Sequence, residues 1–122
     1  MRRFPILLLP ILALAPATAH ATDVTGLWEL STSINKTAVV IHCSVLQIGL
    51  DLSGWCKPES PGIDPSAFTG SLDGETVTWG YDVTFRGSRN HVAYSATLSS
   101  ASAMSGTLTG TGAPAAFTAT RK

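Results

Sequence analysis

The stretch from His42 to Cys56, HCSVLQIGLDLSGWC, contains both cysteines of the chain and decides how it folds. Apolar and polar residues alternate on either side of Gly49-Leu50, which is typical of two antiparallel strands joined by a two-residue turn. This turn sets Cys43 opposite Cys56. Counted outward from the turn, the pair is not hydrogen-bonded, and at such positions Cα atoms approach to about 4.5 Å. The stretch therefore predicts a hairpin bridged by a Cys43–Cys56 disulfide.

A metal site and a redox centre are the alternative roles for this cysteine pair. A metal site needs further ligands that converge on the thiolates, whereas strand alternation points His42 away from Cys43. Redox pairs usually have the closer Cys-x-x-Cys spacing. We therefore favour the disulfide and predict neither a metal site nor a cofactor.

The first 21 residues have the composition of a secretory signal peptide. Met1-Arg2-Arg3 is positively charged, residues 4–15 are almost wholly apolar, and Ala19-His20-Ala21 has the small-x-small form of a signal peptidase site. The alternative is a membrane anchor, but the apolar run contains two prolines and is short for a bilayer. We expect residues 1–21 to be removed and the protein to be periplasmic or secreted, where disulfides persist.

Residues 22–122 are enough for one domain of ordinary size. Loss of Arg2 and Arg3 leaves six basic side chains against eight acidic ones, which is a net charge of −2. A chain with so few charges is a poor electrostatic match for nucleic acid or anionic lipid. We therefore expect no nucleic-acid partner and no membrane span in the mature protein, and we expect a monomer.

Alternation with a period of two residues continues through the rest of the chain. It is clearest from Glu75 to Phe85, where Val77, Trp79 and Tyr81 alternate with polar residues and glycine. This pattern predicts strands with one apolar face and one wet face. Eight such segments lie near residues 24–32, 37–48, 51–57, 67–72, 75–86, 90–99, 103–110 and 115–121.

Eight consecutive antiparallel strands predict an all-β fold, an eight-stranded up-and-down barrel with one hairpin disulfide, because closure removes exposed strand edges. A two-sheet sandwich is the alternative. The tight turns at Gly49-Leu50, Asp73-Gly74 and residues 100–102 fall at one rim. The other rim carries the loops that we expect to be longer, namely residues 33–36, 58–66, 87–89 and 111–114.

Turn chemistry also predicts the registers. A two-residue turn at Asp73-Gly74 pairs Leu72 with Glu75 and Gly70 with Val77. A three-residue loop at 100–102 pairs Leu98 with Met104, which keeps the apolar faces together.

A hydroxyl residue followed by glycine recurs along the chain. Each glycine shares the inward face with a bulky residue two positions later, which suits places where strands bend sharply. These glycines are Gly26, Gly54, Gly70 and Gly106.

Gly26-Leu27-Trp28 near the start and Arg121 near the end resemble the sequence signature of the calycin superfamily, which includes lipocalins, fatty-acid-binding proteins, avidins and bacterial metalloprotease inhibitors. The resemblance implies a lipocalin-like barrel in which Arg121 packs over Trp28 at the closed end. The size of the chain, its export and its single disulfide are also similar to those of the metalloprotease inhibitors.

Interior positions of the predicted barrel include aromatic side chains with polar groups. Trp79, Tyr81 and Tyr94, together with Gln47, are candidates to orient a ligand, although buried tyrosines commonly bond to the backbone. A barrel of this size is either filled by side chains or holds one small ligand. We slightly favour the filled barrel because the strands are short.

Two surface features are candidate contact sites. A basic cluster of Lys36, Arg86, Arg89 and His91 is predicted at the long-loop rim, where it would attract an anionic group. Trp55 is predicted to point outward beside Leu46 and Ile48, as an apolar patch of the kind that marks partner surfaces.

The sequence favours a protein that is not an enzyme. Asp82, His91 and Ser95 have the residue types of a catalytic triad, but alternation places all three on the outer face without a cleft. We predict an exported, non-catalytic binding module for a small apolar or amphipathic ligand. The alternative is a protein-interaction module that uses the Trp55 patch, such as a periplasmic protease inhibitor.

Overall fold

The computed structural model describes residues 23–85 and 87–122, which form a closed antiparallel barrel of eight strands in sequence order. The first strand pairs with both the second and the last, which confirms the up-and-down barrel and excludes the sandwich. The predicted signal peptide and Arg86 lie outside the described residues. The strands are β1 (Gly26–Ile34), β2 (Thr37–Ile48), β3 (Asp51–Pro58), β4 (Ser66–Asp73), β5 (Thr76–Phe85), β6 (Ser88–Ser100), β7 (Ala103–Thr109) and β8 (Ala115–Arg121).

The hairpin of β2 and β3 confirms the prediction from the cysteine stretch. Cys43 pairs with Cys56 in the ladder, their Cα atoms are 4.0 Å apart, and the two sulfurs are bonded. Gly49, at the first position of the turn, has a φ of 66°, as a type II′ turn requires. His42 lies on the outer face, where its Nε2 is 2.7 Å from a carboxylate oxygen of Glu59. The imidazole is therefore directed away from the disulfide.

The predicted register of the β4–β5 hairpin was wrong by two residues. The turn consists of Gly74 and Glu75, so that Leu72 pairs with Val77 and Gly70 pairs with Trp79. Gly74 has a φ of 63°, so glycine again takes the first position of the turn. This register is favoured because the buried Leu72 and Val77 face each other, while Glu75 is left exposed in the turn.

Two other expectations about the connections were wrong, both at the rim opposite these turns. The β1–β2 connection is a two-residue turn, because Ile34 pairs with Thr37 and both residues between them, Asn35 and Lys36, have positive φ. The β5–β6 connection is equally short, because Phe85 pairs with Ser88. Only the 59–65 and 110–114 loops are long, and we call this end the open rim.

The β6–β7 hairpin confirms its predicted pairing of Leu98 with Met104. The turn itself is shorter than expected, because Ser100 pairs with Ala103 and a bulge at Ser99 takes up the extra residue. Burial of Leu98 and Met104 therefore decided the register, and the loop length followed from it.

The core fills the closed end and the middle of the barrel. It consists of 21 buried apolar side chains, among them Trp28, Leu30 and Leu108, and no charged side chain is buried in the described part of the chain. Toward the open rim, the inward side chains Val39, Val83 and Ala115 are only partly buried. None of the described residues belongs to a helix long and apolar enough to cross a membrane.

Candidate ligand site

Five aromatic side chains meet inside the barrel on the β4–β5–β6 side. The rings of Trp79 and Tyr94 are stacked, with centroids 4.6 Å apart and planes 4° from parallel. Phe117 packs edge-on against both rings, at 5.9 and 5.6 Å. Phe68 and Tyr81 complete the group, which we call the aromatic cluster. Ring pairs at these distances add attraction beyond simple burial, so the cluster holds its rings in a defined geometry.

The two tyrosine hydroxyls of the aromatic cluster bond to each other. The Oη atoms of Tyr81 and Tyr94 are 2.5 Å apart, and both side chains are more than 90 % buried. Burial raises the pKa of Tyr94 far above its usual value, and the neighbouring Tyr81 adds to the effect. Burial also raises the pKa of Tyr81, although the hydrogen bond to Tyr94 lowers it in part. Both hydroxyls therefore keep their protons at any physiological pH.

The indole N–H of Trp79 has no hydrogen-bond partner. Its Nε1 atom is buried, and no acceptor among the described residues lies within reach. By contrast, the indole of Trp28 donates to the carbonyl of Val24 at 2.9 Å. An unpartnered buried donor costs roughly 1 to 3 kcal/mol, so it calls for an explanation.

The barrel wall opens beside the aromatic cluster. The ladder between β4 and β5 ends at the pair of Thr69 and Gly80, although β4 extends outward to Ser66 and β5 to Phe85. Beyond this pair, toward the open rim, the two strands are no longer joined by a ladder. Tyr81, which would otherwise be enclosed by a neighbour in β4, lies at this opening.

Two shallow grooves lie on the outer wall, the smaller at this opening and the larger beside it across β4–β7. The larger, of about 460 Å³, is lined by Trp79 and Tyr94 as well as by outward hydroxyl residues. The smaller, of about 320 Å³, is lined by Phe68 and Tyr81. The grooves share Thr69, Gly80 and His91, so they adjoin. Four residues of the aromatic cluster thus border the grooves, although their side chains are buried.

Gly80 lines both grooves and has no side chain that would fill them. A Cβ atom there would lie 2.9 Å from both the Nε2 of His91 and the carbonyl oxygen of Val92. The imidazole of His91 packs over this position instead of over a side chain. The glycine therefore fixes both the depth of the groove and the place of His91.

The predicted basic cluster is brought together only in part. Arg89 and His91 both contact Asp82, with an Nη2–Oδ2 distance of 3.2 Å and an Nδ1–Oδ1 distance of 2.8 Å. The hydrogen bond from His91 lowers the pKa of Asp82, and the hydrogen bond from Arg89 lowers it further by a smaller amount. Lys36 lies in the β1–β2 turn, four strands away around the barrel. Asp82, which was not part of the predicted cluster, offsets the positive charge.

Gln47 lies at the closed end of the barrel, beside the β2–β3 turn. Its Oε1 accepts from the backbone N–H of Val24 at 2.9 Å, and its Nε2 donates to the carbonyl of Gly49 at 2.9 Å. The side chain therefore fastens the N-terminal segment to the β2–β3 turn. The structure does not bring it near the three aromatic residues with which it was grouped.

The closed end is sealed by Arg121. Its guanidinium carbon lies 5.1 Å from the centre of the Trp28 ring, as the resemblance implied. The same guanidinium donates to three backbone carbonyls, those of Ala101, Thr25 and Asp23. A Cβ on Gly26 would contact the Arg121 side chain at 3.5 Å. This end is therefore closed to ligands, and access is from the open rim or the wall.

Asp82, His91 and Ser95 lie on the outer face, as the alternation predicted. His91 is bonded to Asp82, but Ser95 lies four residues further along β6, and the structure records no bond from it to His91. Within the described ranges, no three His, Cys, Asp or Glu side chains are placed to hold a metal ion.

No family model and no curated protein matches the chain. Two solved structures are similar in fold. One is the redesigned β-barrel mFAP1 bound to DFHBI, with a TM-score of 0.59, 8 % identity, and coverage of 81 % of this chain and 94 % of that chain. The other is the redesigned β-barrel b11L5F_LGL, with a TM-score of 0.60, 13 % identity, and coverage of 81 % and 91 %. At these identities the likeness concerns the fold alone, and membership of the calycin superfamily stays a prediction.

The outer wall of β1–β3 carries an apolar patch, as predicted around Trp55. Trp55 is 40 % exposed, and it is accompanied by other large apolar side chains that are half exposed or more. The members of this patch are Leu27, Leu46, Ile48, Leu50 and Trp55.

Proposed function

We propose that the protein is an exported, non-catalytic binding module that holds a small apolar or amphipathic molecule at the aromatic cluster. The observation that carries this proposal is the opening between β4 and β5, which lies beside the aromatic cluster where four of its residues border two adjoining grooves. Filled barrels gain nothing from such an opening, whereas a binding protein needs a route to its apolar interior. One of the two barrels of similar fold was solved with DFHBI bound.

The chemistry of the cluster suits recognition and not reaction. Stacked rings offer a flat apolar surface, and the tyrosine hydroxyls stay protonated, so they serve as hydrogen-bond donors or acceptors and not as bases. At the outer edge of the grooves, hydroxyl side chains such as Thr69 and Thr78 meet solvent. A ligand with an apolar body and a polar end matches this sequence of surfaces.

Native mass spectrometry of the protein purified from its own envelope tests both parts of the proposal. We expect a chain mass corresponding to residues 22–122, since we propose that residues 1–21 are a signal peptide. We also expect an additional mass that is lost when the protein is denatured. A full-length chain would contradict export, and a bare mature chain that takes up no apolar dye would contradict the binding module.

A substitution in the opening tests where the ligand enters. Ala67 lies on β4 at the edge of the smaller groove, and its side chain is exposed. We expect Ala67→Trp to cover the groove and to slow dye uptake about tenfold or more, because the indole occupies the entry to Tyr81. The matched control is Thr118→Trp on the exposed face of β8, which lies away from the grooves. Equal slowing by both variants would contradict entry through the wall.

The apolar patch around Trp55 favours a second candidate function, a protein-interaction module such as a protease inhibitor. Isolated exposed apolar residues are ordinary, but five on one wall resemble a partner surface. If this function is correct, the protein slows a co-secreted protease, and Trp55→Ser weakens the inhibition. No inhibition of any protease from the same envelope would contradict it.

A further inference from the structure

We propose that the ligand of the aromatic cluster carries a hydrogen-bond acceptor, such as a carbonyl or ether oxygen, that receives the indole N–H of Trp79. This inference rests on the proposed binding function and specifies the chemical class of its ligand. The unpartnered Nε1 of Trp79 is the observation from which it starts.

The aromatic cluster contains two hydrogen-bond donors that have no partner among the described residues. Tyr81 and Tyr94 share a single hydrogen bond between their hydroxyls, in which one O–H group is the donor. The proton of the other O–H group has no acceptor among the described residues. The Trp79 N–H adds a second donor. No polar or charged side chain is buried among the described residues to accept from either group. The complementary ligand is therefore an acceptor in an apolar body.

Position supports the same conclusion. Trp79 and Tyr94 line the larger groove, and Tyr81 lines the smaller one. The stacked pair holds the indole ring with its plane 4° from that of Tyr94, so the direction of the N–H is fixed. The Nε1 atom is buried, so a ligand pairs with it only by entering between the strands; a donor fixed in direction then selects for a partner at one place, whereas an apolar filler would leave the donor unpaired.

A matched pair of probes tests this inference on the oxidised mature protein. The probes are 2-acetylnaphthalene, which carries a ketone, and 2-isopropylnaphthalene, which has a similar shape without an acceptor. Binding is followed by ¹H–¹⁵N spectra, in which the indole N–H groups of the three tryptophans give separate signals. We expect the ketone to bind about fivefold to tenfold more tightly, as one net hydrogen bond provides, and to shift the Trp79 signal downfield.

Variants assign the effect to one atom. Trp79→Phe keeps an aromatic ring for stacking but removes the donor, so we expect the ratio of the two affinities to fall to about one, whatever the affinity for the hydrocarbon becomes. Trp55→Phe is the control, because Trp55 is exposed on the outer wall. If Trp79→Phe does not fold, the comparison of the two probes on the unmodified protein still decides whether the ligand needs an acceptor. Tyr81→Phe is then the second variant, because it removes a hydroxyl from the same cluster.

The possible outcomes separate this inference from the proposed function. If neither probe binds, both fail. If both probes bind equally and the Trp79 signal does not move with the ketone, the binding function stands and the inference of an acceptor-bearing ligand is overturned. If the ketone is preferred and the Trp79 signal shifts, both are supported.

Discussion

Replacement of Cys43 and Cys56 together by alanine is expected to lower the free energy of unfolding by about 2 to 5 kcal/mol. The disulfide joins residues 13 apart in sequence and so restricts the unfolded chain. Both side chains are almost wholly buried, and their loss also leaves unfilled volume in the core. Urea denaturation of the two proteins, followed by tryptophan fluorescence, measures the difference.

The hairpin itself supplies the control for this measurement. Leu46 and Ser53 pair on the outer face of the same two strands, and both are exposed. We expect their double replacement by alanine to change stability by less than about 1 kcal/mol. Addition of a reductant should reproduce the cysteine effect in the unmodified protein. An unchanged denaturation midpoint after reduction would show that the bond contributes nothing to stability.

The second large effect is expected at Gly54, on the inward face of β3. A Cβ atom there would lie 1.8 Å from the backbone carbonyl oxygen of Ser44, and the residue has a φ of 149°. The contact cannot be relieved by a side-chain rotation because the neighbour is backbone. We expect Gly54→Ala to destabilise the fold by about 3 to 6 kcal/mol through the combined clash and backbone strain. Thermal or urea denaturation provides the value.

Gly49→Ala separates the two causes. Gly49 has a φ of 66°, but nothing lies within 4 Å of the position of its Cβ. It therefore reports backbone strain alone, with an expected cost of about 1 kcal/mol. Similar losses at both positions would show that the close approach of β3 to Ser44 is not what makes Gly54 necessary.

The registers show how far local patterns can be trusted. Around Gly49-Leu50 the turn chemistry and the apolar alternation agree, and the pairing of Cys43 with Cys56 was predicted correctly. Around Asp73-Gly74 a favoured turn pair suggested one register, but burial of Leu72 against Val77 selected another. Both registers keep the same residues inside, since they differ by an even number of positions, so the sequence pattern alone did not discriminate between them.

The candidate site was predicted in its residue types but not in its geometry. Alternation placed Trp79, Tyr81 and Tyr94 inside the barrel, and they do lie there. The role of Asp82 as the partner of His91 and Arg89 depends on the pairing of β5 with β6, which no local signal specifies. The opening between β4 and β5 was not predicted, because nothing in either strand marks where their ladder ends.

By itself, the sequence determined the number of strands, the face that each presents to the core, and the disulfide. These follow from period-2 alternation and from turn residues, which act over a few neighbouring positions. The tertiary structure decided the β4–β5 opening, the unpartnered N–H of Trp79, and the hydrogen bonds of Arg121 to three backbone carbonyls. Each of these depends on how distant strands approach one another when the barrel closes, which is a property of the whole packed molecule.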